Sequence, residues 1–309
     1  MKSFLTLAFL LAACMPSVDY DGTDYMCLDG QTCPDGYTCV DQRCVSGGGG
    51  DGGGDDADGG GGGGADGNET DPDAGDDDDD WEPGELVSIP ETTFIMGCED
   101  VGDDDGCSGD ADPEHEVTVS AFEIEETEVT QGDYAECVDA GECEPPAAFD
   151  PGVEPDVPVT GVTWSEAVEY CKWIERRLPT EAEWEAAARG SAGRTYPWGE
   201  DDPDCDYAHY DACSPARTID AGEPDGDLTP LGVRGLAGNV SEWVYDFYSS
   251  SYYDVSPDED PIGPGSGSER VYRGASYDEE EAGLTAWTRD ADPPSERDVE
   301  LGFRCARSL

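Results

Sequence analysis

The residues best equipped for chemistry stand in one nine-residue run, Gly235-Leu236-Ala237-Gly238-Asn239-Val240-Ser241-Glu242-Trp243. Gly235 and Gly238 allow backbone angles closed to other residues, and Asn239 tolerates the left-handed region. Glu242 brings a carboxylate beside carbonyls that such a turn frees. The run can therefore hold a hard cation, or it can simply fix a loop ahead of a buried strand, Trp243-Val244-Tyr245. Histidine chemistry is scarce: His115 and His209 are the only two, far apart and outside any metal-spaced motif, and both are expected to be exposed polar residues. Cys27, Cys33, Cys39 and Cys44 form a tetrad that could hold zinc, but it contains no C-x-x-C pair, so two bridges are the expected use. No nucleophile-elbow pattern supports a Ser/His/Asp site.

The elements that must position these residues can be read in order. Leu86–Pro90 and Thr93–Gly97 have the look of short strands, and Val117–Ile124 alternates as a third. Thr130 opens a helix that stops near Gly141. Thr163-Trp164-Ser165-Glu166 and Thr180-Glu181-Ala182-Glu183 each have capping-box spacing and open two further helices, the second ending at Gly190. Loop follows, with short strands expected at Val240–Tyr245, Val271–Arg273 and Gly302–Ala306. Three short helices and scattered brief strands are too little regular structure for a doubly wound or barrel enzyme, so the class is α+β, held by loops, aromatics and disulfides.

Upstream, the composition changes twice. Residues 1–13 carry one positive charge and an apolar run too short to span a bilayer, and Leu11-Ala12-Ala13-Cys14 matches a bacterial lipobox. The expectation is a secretory signal, with Cys14 lipidated as the mature N-terminus. Met15 stands where an Asp typically retains such proteins in the inner membrane, which points to an outer-membrane lipoprotein. Residues 14–46 resemble a small Cys-rich, EGF-like knot, too short to fold on burial alone. Residues 47–80 are almost wholly Gly and Asp and are expected to be a disordered, self-repelling tether. Residues 81–309 suffice for one domain.

The cysteine count agrees with export. Of 13 cysteines, setting Cys14 aside leaves an even number, suited to disulfides in an oxidising compartment. Spacing suggests local bridges Cys98/Cys107, Cys137/Cys143 and Cys205/Cys213. With 75 acidic against 15 basic residues and a formal charge of −60, the chain repels nucleic acid and anionic lipid, so neither is an expected partner. A saline habitat and a cationic ligand are both compatible with that acidity.

Several segments fall into one order: Phe94-Ile95-Met96-Gly97, Arg177-Leu178-Pro179-Thr180-Glu181-Ala182-Glu183-Trp184-Glu185, Tyr196-Pro197-Trp198-Gly199, Gly238–Trp243, Arg273-Gly274-Ala275-Ser276-Tyr277 and Gly302-Phe303-Arg304-Cys305. Together they resemble the sulfatase-modifying factor family, that of the formylglycine-generating enzyme. The resemblance implies a C-type-lectin-like fold, loop-rich and disulfide-stabilised, and a bridge between Cys171 and Cys305. It also implies calcium at the turn, through Gly238, Val240 and Glu242, although Gly235 stands where an upstream Asn or Asp ligand is usual. A second family calcium site begins with Asn in a Tyr-Ala-Asn run, which here reads Tyr207-Ala208-His209.

The family's oxidase binds Cu(I) through two cysteines in a Gly-Ser-Tyr-x-Cys-x-x-x-x-Cys arrangement, and soft thiolates are what Cu(I) requires. Here Glu279 and Leu284 occupy those positions, with Ser276 and Trp287 nearby. Copper oxidation is therefore not expected. Two functions stay open. One is a membrane-anchored binding or structural module that meets an envelope protein or a glycan. The other is a formylglycine-type oxidase or non-haem iron oxygenase acting on exported polypeptides with a remodelled site.

Overall fold

The computed structural model describes residues 81–99, 107 and 109–309, together with the backbone of 37–40 and 43–46. The chain divides into two units, Met1–Gly75 and Asp76–Leu309. In the first, strands β1 (Tyr37–Val40) and β2 (Arg43–Ser46) pair antiparallel, with Cys39 and Cys44 as register partners. The lipobox with Cys14, Cys27, Cys33 and the Gly/Asp run all lie outside the described residues. Among those described, no helix is long and apolar enough to cross a membrane.

The second unit is built on three small sheets and three helices. Strand β3 (Leu86–Ile89) is paired by β6 (Phe122–Glu125), which also pairs β11 (Ala306–Ser308). Strand β4 (Thr92–Met96) pairs β5 (His115–Val119), and β4 buries every second residue, as a half-buried ribbon must. The largest sheet has the order β10-β7-β8-β9: Leu301–Phe303, Ser241–Phe247, Arg270–Arg273 and Arg289–Asp292. Only its β10–β7 pair is parallel.

Two strands expected as single pieces are each broken in two. Val117–Ile124 divides because the Asp260 carboxylate accepts both the amide and the hydroxyl of Ser120, each at 2.7 Å. That takes the chain out of one ladder and lets it enter another. Gly302–Ala306 divides at Arg304 and Cys305, both fully buried. At that break the Arg304 guanidinium bonds Glu242 and Cys305 bridges to Cys171. Strand β9, with two acids and an arginine in four residues, gave no strand signal in the sequence.

The helices form where their caps stand. In α1 (Gln131–Ala140), α2 (Trp164–Trp173) and α3 (Glu181–Arg189), the hydroxyls of Thr130, Thr163 and Thr180 accept from the backbone N–H three residues on. The side chains of Asp133, Glu166 and Glu183 reach back to the cap. Gly141 ends α1 at φ 80°, and a 3-10 turn, Gly190–Ala192, extends α3. Helix α3 is buried along almost its whole length: Ala182, Trp184 and Ala186–Ala188 pack on the strands, and Glu181, Glu185 and Arg189 are buried with them.

Those buried charges are paired. Glu181 accepts from Arg289 Nε at 2.7 Å and Nη2 at 2.8 Å, and from Arg273 Nη1 at 3.1 Å; Glu185 accepts from Arg273 Nη2 at 2.7 Å and Arg189 Nη1 at 3.0 Å. The network ties α3 to β8 and β9. Among the described residues, four bridges are formed: Cys98–Cys107, Cys137–Cys143, Cys205–Cys213 and Cys171–Cys305. The last joins α2 to the junction of β10 and β11 across 134 residues. In the chain-entropy account it contributes about 5 kcal/mol.

Candidate functional site

The run Gly235–Trp243 is a turn that enters β7, and its unusual backbone is explained by what lies against it. Gly235 and Gly238 have φ of 65° and 87°, and Asn239 has 61°. A Cβ on Gly238 would stand 2.3 Å from the carbonyl oxygen of His209, and one on Gly235 would stand 2.3 Å from Glu128 Oε2. Only glycine fits at either place.

Glu242, the expected cation ligand, is buried and already satisfied. Its oxygens accept from Arg304 Nε at 2.8 and 3.0 Å, from Arg304 Nη2 at 2.7 Å and from Trp184 Nε1 at 2.9 Å. The same guanidinium donates to the carbonyls of Gly235, Glu125 and Glu126. Calcium through Gly238, Val240 and Glu242 does not fit this arrangement, because a resident arginine holds both carboxylate oxygens. Among the described residues, no group of three His, Cys, Asp or Glu side chains is disposed to hold a metal ion.

Two more buried acids press on this turn. Glu128 Oε1 accepts from Asn239 Nδ2 and Oε2 from the Gly222 amide, each at 3.1 Å, while Arg304 Nη2 lies 3.9 Å away. Burial pushes its carboxyl up to about 7, with Arg304 opposing and Glu242 reinforcing the shift. Asp227 Oδ2 accepts from the Ala237 amide at 2.9 Å, and its Oδ1 has no partner among the described residues. Burial raises that carboxyl well above the usual range.

The Ser276–Leu284 segment lies just beyond β8. Ser276 is buried and its Oγ donates to Glu300 Oε2 at 2.9 Å. Glu279 is exposed, whereas Leu284 is buried among Ala208, Tyr210, Ala237 and Ala275. Partial withdrawal from water, then Asp290, Glu300 and Asp278, raise the Glu279 carboxyl. Trp287 packs on a different core cluster and lies 5.1 Å from the Arg189 guanidinium. A surface carboxylate and a core alkyl group do not fit Cu(I).

Neither histidine is the exposed residue expected from sequence. His209 is buried, with Nε2 2.8 Å from the Arg217 carbonyl, because its segment forms a bridge with Gly238 beneath the turn. His115 is half-buried on β5, edge-on to Tyr253 with ring centres 4.8 Å apart. Its Nδ1 lies 3.1 Å from the Pro113 carbonyl, and its buried Nε2 has no partner.

What the turn does organise is a cavity. Asn239, 1% exposed, gives its amide N–H to the His209 carbonyl and takes the Tyr277 amide on its own carbonyl. Its side chain both accepts from the Ile219 amide at 3.0 Å and donates to the Ile219 carbonyl at 3.3 Å. It thereby fixes Thr218 and Tyr277, two walls of a cavity of about 240 Å³ that is completed by Gln131, Glu154, Thr160 and Arg217. The sequence marked Asn239 only as a turn former and Tyr277 only as part of the Ser-Tyr run. The cavity draws on four loops, and no local spacing could have announced it.

Comparison with known proteins now bears on this geometry. Residues 72–309 match the sulfatase-modifying factor enzyme 1-like domain. The chain belongs to that family. The formylglycine-generating enzyme of Streptomyces coelicolor is 39% identical over 166 residues, which cover 49% of this chain and 53% of that protein. The chain thus matches about half the length of that enzyme. A mouse relative described as an inactive C-alpha-formylglycine-generating enzyme 2 is 29% identical over 292 residues, covering 72% of this chain and 85% of its own. Among solved structures, PvdO from Pseudomonas aeruginosa superposes with a TM-score of 0.61 at 25% identity, covering 74% of this chain and all of that one. The loop-rich α+β fold expected of a sulfatase-modifying factor domain is the fold observed. Within it, Glu279 and Leu284, the residues the resemblance sets at the copper-cysteine positions, are a surface carboxylate and a core leucine.

Proposed function

We propose that this sulfatase-modifying factor domain has given up copper-dependent oxidation and works as a binding module. Its partner would be an envelope protein or a glycan, and it would be held to the outer membrane through lipid on Cys14. The observation that carries the reading is the environment of Glu279 and Leu284. One is a solvent-facing carboxylate and the other a core leucine, and neither is a soft ligand. A domain whose copper-binding positions have become surface and core, while its fold is kept by buried ion pairs and four bridges, retains a shaped loop surface and loses the redox centre.

The test is aerobic incubation of the full chain with Cu(I), and separately with Fe(II), in the presence of cysteine-containing peptides. The expected result is no stoichiometric Cu(I) binding, no oxygen uptake above the peptide-only control and no aldehyde or sulfur–carbon product by mass spectrometry. Peptide-coupled oxygen uptake that disappears in Glu279→Ala would overturn the reading in favour of a remodelled oxidase. Anchoring is tested by labelled fatty-acid incorporation in a Gram-negative host, expected for the natural sequence and lost in Cys14→Ser.

A further inference from the structure

The cavity held by Asn239 has a polar lining that the fold itself does not use. Gln131 is 7% exposed; its Oε1 accepts from the Asp150 amide at 2.8 Å, and its Nε2 bonds no described residue. The hydroxyls of Thr160, Thr218 and Tyr277 bond no described residue either. Burial, then Glu300, Asp278 and Asp298, raise the Tyr277 phenol, so it remains a neutral donor and acceptor. The only charges in the lining, Glu154 and Arg217, are paired with each other at 2.9 Å.

In a chain of formal charge −60, such a neutral cavity selects by hydrogen bonding rather than by field. Anions meet the repulsion of the whole surface, and cations find no uncommitted carboxylate in the lining. Three of the four available groups are hydroxyls, which can donate or accept as the ligand demands, and the fourth is an amide donor. Pro158 and Val299 add apolar surface, and Val299 is 54% exposed. The volume, about 240 Å³, lies below the range of roughly 300–1,000 Å³ typical of drug-sized ligands, and an extended peptide would overrun it.

We infer that this cavity binds one ring of an uncharged sugar, its hydroxyls taken by Gln131, Thr160, Thr218 and Tyr277 and its C–H face by Val299 and Pro158. The inference rests on the reading of the domain as a binding module and names the class of ligand. Because the one carboxylate of the lining, Glu154, is committed to Arg217, recognition is expected to be independent of calcium.

The test uses the full chain, with methyl pyranosides followed in ligand-observed NMR and an array of neutral and acidic glycans. At least one neutral pyranoside is expected to bind, with the same affinity in EDTA as in calcium. Thr218→Val and Tyr277→Phe are each expected to weaken it about 10-fold, the loss of one buried hydrogen bond of about 1.4 kcal/mol, with the melting temperature unchanged. Gln131→Ala is not used, since it also removes the contact to Asp150. Three results would overturn the inference: no neutral sugar binding at tens of millimolar, binding indifferent to both variants, or peptides displacing the sugar probe at lower concentration than sugars do. If sugar binds but the peptide oxidation above also occurs, the loss of oxidase chemistry fails and the cavity stands. If neither is seen, only the cavity's ligand is refuted.

Discussion

Two buried charge clusters in the same domain are composed from the same residue types and behave in opposite ways. Around α3, Glu181 and Glu185 face Arg189, Arg273 and Arg289, and two of those guanidiniums bond Glu181, whereas the buried Asp246, which accepts from the Glu181 amide, has its carboxyl raised by burial. Burial acts to raise the Glu181 carboxyl, but Arg289 and Arg273 together hold it below its ordinary value. Beneath the Gly235–Trp243 turn, Glu128, Asp227 and Glu242 share the single Arg304, and there burial prevails and the carboxyls of Glu128 and Asp227 are raised. Two guanidiniums bonded to one carboxylate, as at Glu181, outweigh burial, whereas a single Arg304 shared among several acids does not for Glu128 and Asp227. The first cluster is a frame joining helix to sheet; the second fixes a turn against which burial raises the carboxyls of Glu128 and Asp227.

Removing an arginine from the frame has the largest expected effect. Arg273→Met leaves Glu181 and Glu185 buried with fewer partners and is expected to cost about 3–5 kcal/mol in urea denaturation near neutral pH, with part of the cost relieved at mildly acidic pH as a carboxylate that has lost its guanidinium takes up a proton. The pH dependence sharpens the contrast. Glu128, and Glu125 whose carboxyl burial also lifts to about 7, have folded values above the unfolded 4.5. Their contribution is fully present below about pH 4.5 and is lost as pH rises through about 7, by about 3 kcal/mol for each group. Stability should therefore fall between pH 5 and pH 8, and Glu128→Gln should flatten that slope. Glu181, held low, acts in the opposite direction and loses its contribution as pH falls below 4.5.

A smaller loss, about 1–3 kcal/mol, is expected for Gly235→Ala, which combines a φ of 65° with a clash against Glu128. Calorimetry at pH 5 and pH 8 should place most of that loss in the turn cluster. The smallest effect belongs to a region outside both clusters: Thr163→Ala should cost about 1 kcal/mol through its cap, equally at either pH.

What could be read from the sequence was local. Thr130, Thr163 and Thr180 announced their helices because a cap and its partner lie three residues apart, and the three short bridges followed from close cysteines. The Ser276–Leu284 run likewise carried its own comparison with the copper motif. What could not be read joins distant residues. The carboxylate that interrupts a strand at Ser120 comes from Asp260, and the guanidinium that occupies Glu242 comes from Arg304. The run around Thr180 announced a helix start, but not that Glu181 and Glu185 are core residues, since their partners lie on β8 and β9. Asn239 declared its backbone but not its role, since His209, Ile219, Glu128 and Tyr277 reach it from four directions.

The segment from Leu301 to Ser308 has a consequence for how the domain is made. These eight residues supply an edge strand to each of two sheets, the arginine that neutralises the turn and the cysteine that closes the long bridge. Until this one segment docks, the domain lacks all four. Two sheet edges, the turn and the long bridge are therefore completed together, with acids such as Glu242 left without their guanidinium until Arg304 docks.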